Sequence, residues 1–206
     1  MSHFLVMVIG SDVEEQLARY DENLDTEEYS LGLVPEGEKE EMMKFYKTKG
    51  GYSNFDECYQ LYGEAWNGNR WKKNEMGKWE SFSSYNPDSK WDWYQVGGRW
   101  AGSLELKDGV KPLVPVNFSF GWSNEEKERV IADNRADVAY KKDIANIDSI
   151  VPFAVVIEGE WYERATMHWW AVTTNEVDAD IWKEQVKNLL SCVKDDELII
   201  MVDCHI

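Results

Sequence analysis

Paired cysteines, a basic leader, a long apolar run and a balance of positive charge are all missing from this sequence, and each absence closes a class of function. The cysteines are Cys58, Cys192 and Cys204. An odd count without C-x-x-C spacing argues against a disulfide framework and a zinc knuckle, and a reducing cytoplasm suits it best. The opening MSHFLVMVIG carries neither a basic start nor a long apolar core, so it does not read as a signal peptide. No stretch approaches the roughly 20 apolar residues that span a bilayer, and no membrane partner is expected. Basic residues number 22 against 39 acidic ones, a formal net charge of -17. A field of that sign repels free nucleic acid, so direct DNA or RNA binding is not expected. Two readings of the charge stay open: plain solubility, or an acidic surface that imitates DNA and occupies a DNA-binding partner. A small nucleotide stays admissible as a ligand, because a few nearby cations outweigh a distant, screened field.

What the chain has in excess is tryptophan: 11 residues, most of them between Trp66 and Trp170. Indoles suit a core, and they also stack on flat rings such as nucleobases. The segment His3–Ile9 (HFLVMVI) predicts a strand closed by Gly10. Asp12 then caps a helix over Val13–Tyr20, with Glu14 and Glu15 at its positive end. A second helix is expected over Glu38–Thr48, with Met42, Met43, Phe45 and Tyr46 as its apolar contacts. Gly50–Trp122 shows little clean periodicity, but its aromatic content argues against disorder. It reads as a loop-rich layer held down by large rings. Asn124–Tyr140 predicts a helix capped by Ser123 or Asn124.

The last third is the most regular. Pro152–Glu158 (PFAVVIE) and Trp161–Thr173 predict two strands joined at Gly159-Glu160 as a hairpin. Asp178 or Asp180 starts a helix through Leu190, with Ile181, Trp182, Val186, Leu189 and Leu190 as one apolar stripe. Leu198–Ile206 (LIIMVDCHI) ends the chain as a strand. The order strand, helix, long insertion, strand, strand, helix, strand predicts an α+β fold of ferredoxin-like (split βαβ) type. Residues 1–206 then form a single domain. Residues 21–150 are a long aromatic-rich, partly helical insertion after the first helix, layered on a sheet of residues 2–9, 151–174 and 197–206. In that topology the first and last strands are antiparallel neighbours, and the third strand lies parallel to the first on its other side.

Period-2 alternation sorts the terminal strands. His3, Leu5 and Met7 share one face with Ile199, Met201, Asp203 and His205, and the purely apolar opposite face is expected to lie under the two helices. Antiparallel pairing then brings His3 to His205, with Asp203 beside them, and His168 on the third strand can reach the same end. Two histidines suit acid/base catalysis near neutral pH. Three with a carboxylate would also suit zinc or manganese. No cofactor is expected; a divalent metal held by His3, His205 and His168 is the alternative. The bland reading is polar residues at solvated strand ends.

A second constellation is NPDSKWDWYQVGGRW, Asn86–Trp100. Asn86-Pro87-Asp88-Ser89 is a turn signal. Lys90 and Arg99 bracket Trp91, Trp93, Tyr94 and Trp100, and Gly97-Gly98 permits positive φ or a close backbone approach. Arginine forks onto phosphate and stacks on rings, so this composition predicts a nucleotide clamp. The competing reading is an aromatic loop pinned by an Arg–Asp92 pair.

The same segment resembles the central signature of a family of proteins from tailed bacteriophages. SHFLVMVIG, VDCHI, YDEN (Tyr20–Asn23) and WYERATMHWW (Trp161–Trp170) resemble that family too, so the likeness runs along the whole chain. It implies a phage origin, the cytoplasm of the infected bacterial host, an anti-defence role, and no particular chemistry. The chain departs from the family pattern at His168, where glycine is common, which weighs against a three-histidine metal site. A looser analogy is to two-histidine phosphoesterases, but their HxT or HxS repeats are absent: Phe4-Leu5 follow His3, and only Ile206 follows His205.

Three functions are therefore weighed. The first is a phosphodiesterase that destroys a cyclic nucleotide alarm signal, with His3 and His205 as acid and base and Arg99 and Lys90 holding phosphate. The second is a sponge that sequesters such a ligand without cleaving it. The third is an acidic protein-binding inhibitor. A homodimer is left open.

Overall fold

The computed structural model describes residues 2–168 and 172–206, with His168 described in its main chain only. In chain order the elements are β1 (His3–Ile9), α1 (Val13–Ala18), β2 (Tyr29–Leu33), α2 (Glu36–Tyr46), α3 (Phe55–Asn67), β3 (Trp71–Lys73), β4 (Trp79–Ser83), β5 (Trp93–Val96), β6 (Leu104–Glu105), α4 (Asn124–Ala132), β7 (Arg135–Ala136), β8 (Val138–Tyr140), β9 (Ala154–Ile157), β10 (Glu160–Glu163), β11 (Thr166–His168), β12 (Val172–Thr174), α5 (Ala179–Ser191) and β13 (Leu198–His205). The fold is α+β with mixed sheets. No helix among the described residues is long and apolar enough to cross a membrane.

The chain divides into two compact units: residues 1–24 with 87–206, and residues 25–86. The smaller unit is a three-stranded sheet in the order β2-β4-β3 with α2 and α3. Val34, Met42, Tyr46, Cys58, Tyr59 and Trp71 form its core, and the Tyr59 and Trp71 rings stack 5.4 Å apart at 17°. Asn54 caps α3 by accepting from Glu57 N, and Gly68 ends it at φ 65°. α3, a helix that lies inside the stretch read as loop-rich, buries Cys58, Tyr59 and Gly63 on one face. Residues 21–150 are thus not one insertion.

The larger unit is built on a six-stranded sheet in the order β10-β9-β1-β13-β5, with β8 also paired to β13. β1 and β13 are antiparallel over their whole length, from His3 opposite His205 to Ile9 opposite Ile199. β9 runs parallel to β1 on its other side. The neighbour of β1 is therefore the first strand of the β9–β10 hairpin, not the second as a ferredoxin-like order requires. The strand expected over Trp161–Thr173 ends at Glu163, and β11 pairs with β12 in a separate two-stranded sheet. Residues 169–171 of that expected strand lie outside the described residues.

The two helices also take opposite faces. Met7, Ile9, Ile199 and Met201 pack with Trp182, Val186 and Leu190 of α5. Phe4, Val6, Val8, Ile200, Val202 and Cys204 pack with Leu17 of α1, Tyr20 and Trp91. The expectation that both helices share the apolar face fails for a simple reason. Each face of β1 and β13 carries enough aliphatic surface to need a cover, and burial of that surface is what drives the layers together.

β5 and β8 come from the stretch expected to lie over the sheet, yet they are strands of it. α4 begins at the Ser123 capping box with Glu126 but stops at Ala132, not Tyr140. Asn134 takes φ 52°, the left-handed conformation that closes helices, and releases Val138–Tyr140 to pair with β13. In α5, Ile181 of the expected stripe is 55% exposed, while Trp182, Val186 and Leu190 are buried.

Candidate active site

Adjacency of β1, β13 and β5 sets His3, His205 and Trp93 side by side in one row of the sheet. Leu5, Asp203 and Gln95 form the next row on the same face. The two imidazoles lie 5.0 Å apart between centroids, at 71°. His3 Nδ1 donates to Asp203 Oδ1 at 2.7 Å, and His205 Nδ1 donates to Asp92 Oδ1 at 2.6 Å. Each ring is thereby fixed in orientation by a carboxylate, and with Nδ1–H as the donor Nε2 is the unprotonated nitrogen of the neutral ring. His205 Nε2 is buried and has no hydrogen-bond partner among the described residues. A buried, unsatisfied imidazole nitrogen costs stability, and it is a feature that catalytic groups retain.

The two carboxylates are held differently. Asp203 is fully buried, and its Oδ2 accepts from the main-chain N of Arg99 at 2.9 Å. Gly98 makes that approach possible. It sits at φ 63°, and a Cβ there would lie 2.5 Å from Asp203 Cβ. Asp92 lies just before β5, is half-buried, and anchors to β13 by donating its main-chain N–H to His205 O at 3.0 Å. Glu22 is held near them by its main-chain bond to Trp91 O. Burial, then Asp92 and Asp21, push the Glu22 carboxyl above its ordinary value, with His205 opposing. The Trp93 ring, 47% exposed, meets His3 edge-on at 6.1 Å.

The remaining residues of the expected clamp are not brought together. Lys90 is committed to Glu163 at 2.8 Å. Trp91 is buried with its Nε1 donating to Leu17 O, and Tyr94 packs edge-on against it. Arg99 is exposed, its guanidinium without a partner among the described residues. The expected Arg–Asp92 pair does not form, because Asp92 holds His205 instead. Trp100 faces a separate cavity with Trp122, Arg129 and Arg135. Among the described residues no cluster of three or more His, Cys, Asp and Glu side chains is placed to hold a metal. The His168 side chain, needed for the three-histidine alternative, lies outside the described residues; its main chain is in the β11–β12 hairpin.

Asp137, which no sequence motif marks, braces the turn that follows β5. It is buried, accepting from Gly102 N on Oδ1 and from Asn117 N on Oδ2, each at 2.6 Å. Burial pushes its carboxyl above the ordinary value, and the two amides oppose that. A carboxyl with a raised folded pKa binds its proton more readily in the native than in the unfolded chain. Its contribution is therefore largest below the unfolded value of about 3.9 and is lost as pH rises through the raised value. Asp137→Asn places an NH₂ against one of two N–H donors and is expected to destabilise by about 1–3 kcal/mol at neutral pH. In urea titrations the gap between parent and variant should widen as pH falls through that window. A gap that narrows would show that the charged form is the one the fold prefers.

Asp92 and Asp137 escape a reading of local pattern because their partners are distant in the chain: 113 residues separate Asp92 from His205. No local pattern marks such a pair. Comparison with protein-family models, curated proteins and solved structures found no match.

Proposed function

We propose that this protein cleaves a phosphodiester of a small nucleotide, with His3 and His205 as a metal-free acid/base pair. The observation that supports this is the double aspartate–histidine arrangement: two rings 5.0 Å apart, each with Nδ1 tied to a carboxylate. One neutral imidazole takes the proton of the attacking oxygen as the new P–O bond forms. The other, protonated, delivers a proton to the leaving oxygen as the old P–O bond breaks. Asp203 and Asp92 hold the rings and balance the charge on whichever is protonated. Arg99, whose main-chain amide Asp203 binds, supplies a cation for the phosphate. In the setting that the phage resemblance implies, the substrates are the cyclic nucleotides that bacteria use as alarm signals, met in the host cytoplasm.

A second reading, sequestration without cleavage, is favoured by one feature. The exposed Trp93 ring beside His3 can stack a base whether or not turnover follows. Incubation with a panel of cyclic nucleotides and chromatography of the products separates the two. New products support cleavage; intact ligand recovered after denaturing the protein supports sequestration; no binding of any nucleotide sinks both.

The carboxylate partners give a graded test. Asp92→Asn is expected to lower kcat by about ten- to a hundred-fold, the range known for carboxylates that orient metal-bound histidines. The fold should be kept, since Asp92 is half-exposed. Unchanged kcat would remove Asp92 from the machinery.

A further inference from the structure

The chain carries a net charge of -17, yet one cavity of its larger unit gathers two arginines and two indoles. It measures about 510 Å³, within the usual range of small-ligand sites, and Trp100, Trp122, Arg129, Arg135 and Asp133 line it over a floor at Val130. The site is built rather than incidental. Gly102 at φ 72° lets α4 close onto the turn, because a Cβ there would stand 2.3 Å from Val130 Cγ1. Asp137 holds the Gly102 amide in place. Trp122 is oriented by donating its Nε1 to Gly98 O at 3.1 Å. Arg135 is partly committed to Glu105 at 2.6 Å. Arg129 is exposed, with Glu126 of the same helix as an electrostatic neighbour and no direct ion pair among the described residues.

A single segment connects this cavity to the histidines. Gly98 O receives Trp122, the Arg99 amide holds Asp203 behind His3, and Trp100 is a wall of the cavity. The lining asks for three things at once: a flat ring for the indoles, an anion for Arg129, and a hydrogen-bond donor for Asp133. A nucleotide offers all three, through its base, its phosphate and its amino or ribose hydroxyl groups.

We infer that this cavity is a nucleotide subsite, holding a nucleoside monophosphate unit with its ring at Trp100 and Trp122 and its phosphate at Arg129. The identification of that unit as part of the substrate rests on the phosphodiesterase reading above; binding itself does not. Calorimetric titration of the intact protein with AMP, adenosine and inorganic phosphate tests it. AMP should bind more tightly than either of its parts. Arg129→Ala should weaken AMP by about ten- to a hundred-fold, the effect of one charged hydrogen bond, while leaving adenosine unchanged. Arg129→Lys should recover part of the loss. AMP binding equal to that of phosphate, or equal in Arg129→Ala and parent, overturns the inference, as does AMP binding lost in His205→Ala but kept in Arg129→Ala. Turnover that depends on His205 but not on Arg129 would remove the subsite and spare the phosphodiesterase. AMP binding that depends on Arg129 in a protein without turnover would do the reverse.

Discussion

His205→Ala and His3→Ala are each expected to reduce phosphodiester turnover by about 10²–10⁴-fold while leaving the protein folded. The size follows from the proposed role, in which each ring is one of two proton carriers. Persistence of the fold follows from position. Both residues sit at strand ends and are partly exposed, with side chains 14% and 17% accessible, so little packing is lost. His3→Ala also leaves Asp203 Oδ1 buried without its partner, at a cost of about 1–3 kcal/mol that a stable domain tolerates. His205→Ala also removes the unsatisfied Nε2, which offsets part of the cost. Because the pair acts as a unit, the double variant should be little worse than either single one. A chelator should leave the parent's rate unchanged. Turnover surviving both substitutions sinks the acid/base assignment, and chelator sensitivity replaces it with metal chemistry. Circular dichroism of each variant separates loss of chemistry from loss of fold. If the protein only sequesters its ligand, the variants change affinity and there is no rate to lose.

Gly97→Ala should destabilise the protein by about 3 kcal/mol or more, a large fraction of the roughly 5–15 kcal/mol that holds a typical domain together. Two costs add. Gly97 sits at φ 77°, where an L-residue pays about 1–2 kcal/mol. A Cβ would also fall 2.3 Å from Asp137 Oδ2 and 2.6 Å from Asn117 O. Neither can retreat: Asp137 is pinned by two amides, and Asn117 O receives the N–H of Gly98. Overpacking of that kind costs about 1–3 kcal/mol on its own. Gly109 gives the control, since it has φ 81° but nothing within 4 Å of an added methyl, so Gly109→Ala should show the backbone cost alone. Urea midpoints at constant slope measure both. Equal losses at the two positions would mean that the Asp137 contact relaxes and that Gly97 is needed only for its backbone angle.

The histidine pair was legible because its information is local. HFLVMVI and LIIMVDCH are short apolar runs with a histidine at the outer end of each, and antiparallel pairing of the two over their full length brings those ends together. That register sets His3 opposite His205 and puts Asp203 on their face. The Gly-Gly of the central segment was legible as a place needing positive φ, though its reason was not: Gly97 closes on Asp137 and Gly98 on Asp203. The aromatic clamp does not form as composition suggests. Composition groups Lys90, Trp91, Trp93, Tyr94, Arg99 and Trp100 together, but strand alternation sends Trp93 and Tyr94 to opposite faces of β5. Glu163 then takes Lys90, and the core takes Trp91.

By itself the sequence determined the class of fold, the pairing of its terminal strands and the face that carries the histidines. All three depend on alternation and propensity, which act over a few residues. Only the tertiary structure decided that Asp92 would hold His205, that α1 and α5 would cover opposite faces, and that Arg129 and Arg135 would meet Trp100 and Trp122. These choices depend on which distant surfaces must be buried together, and an apolar face or a lone carboxylate carries no mark of its eventual partner.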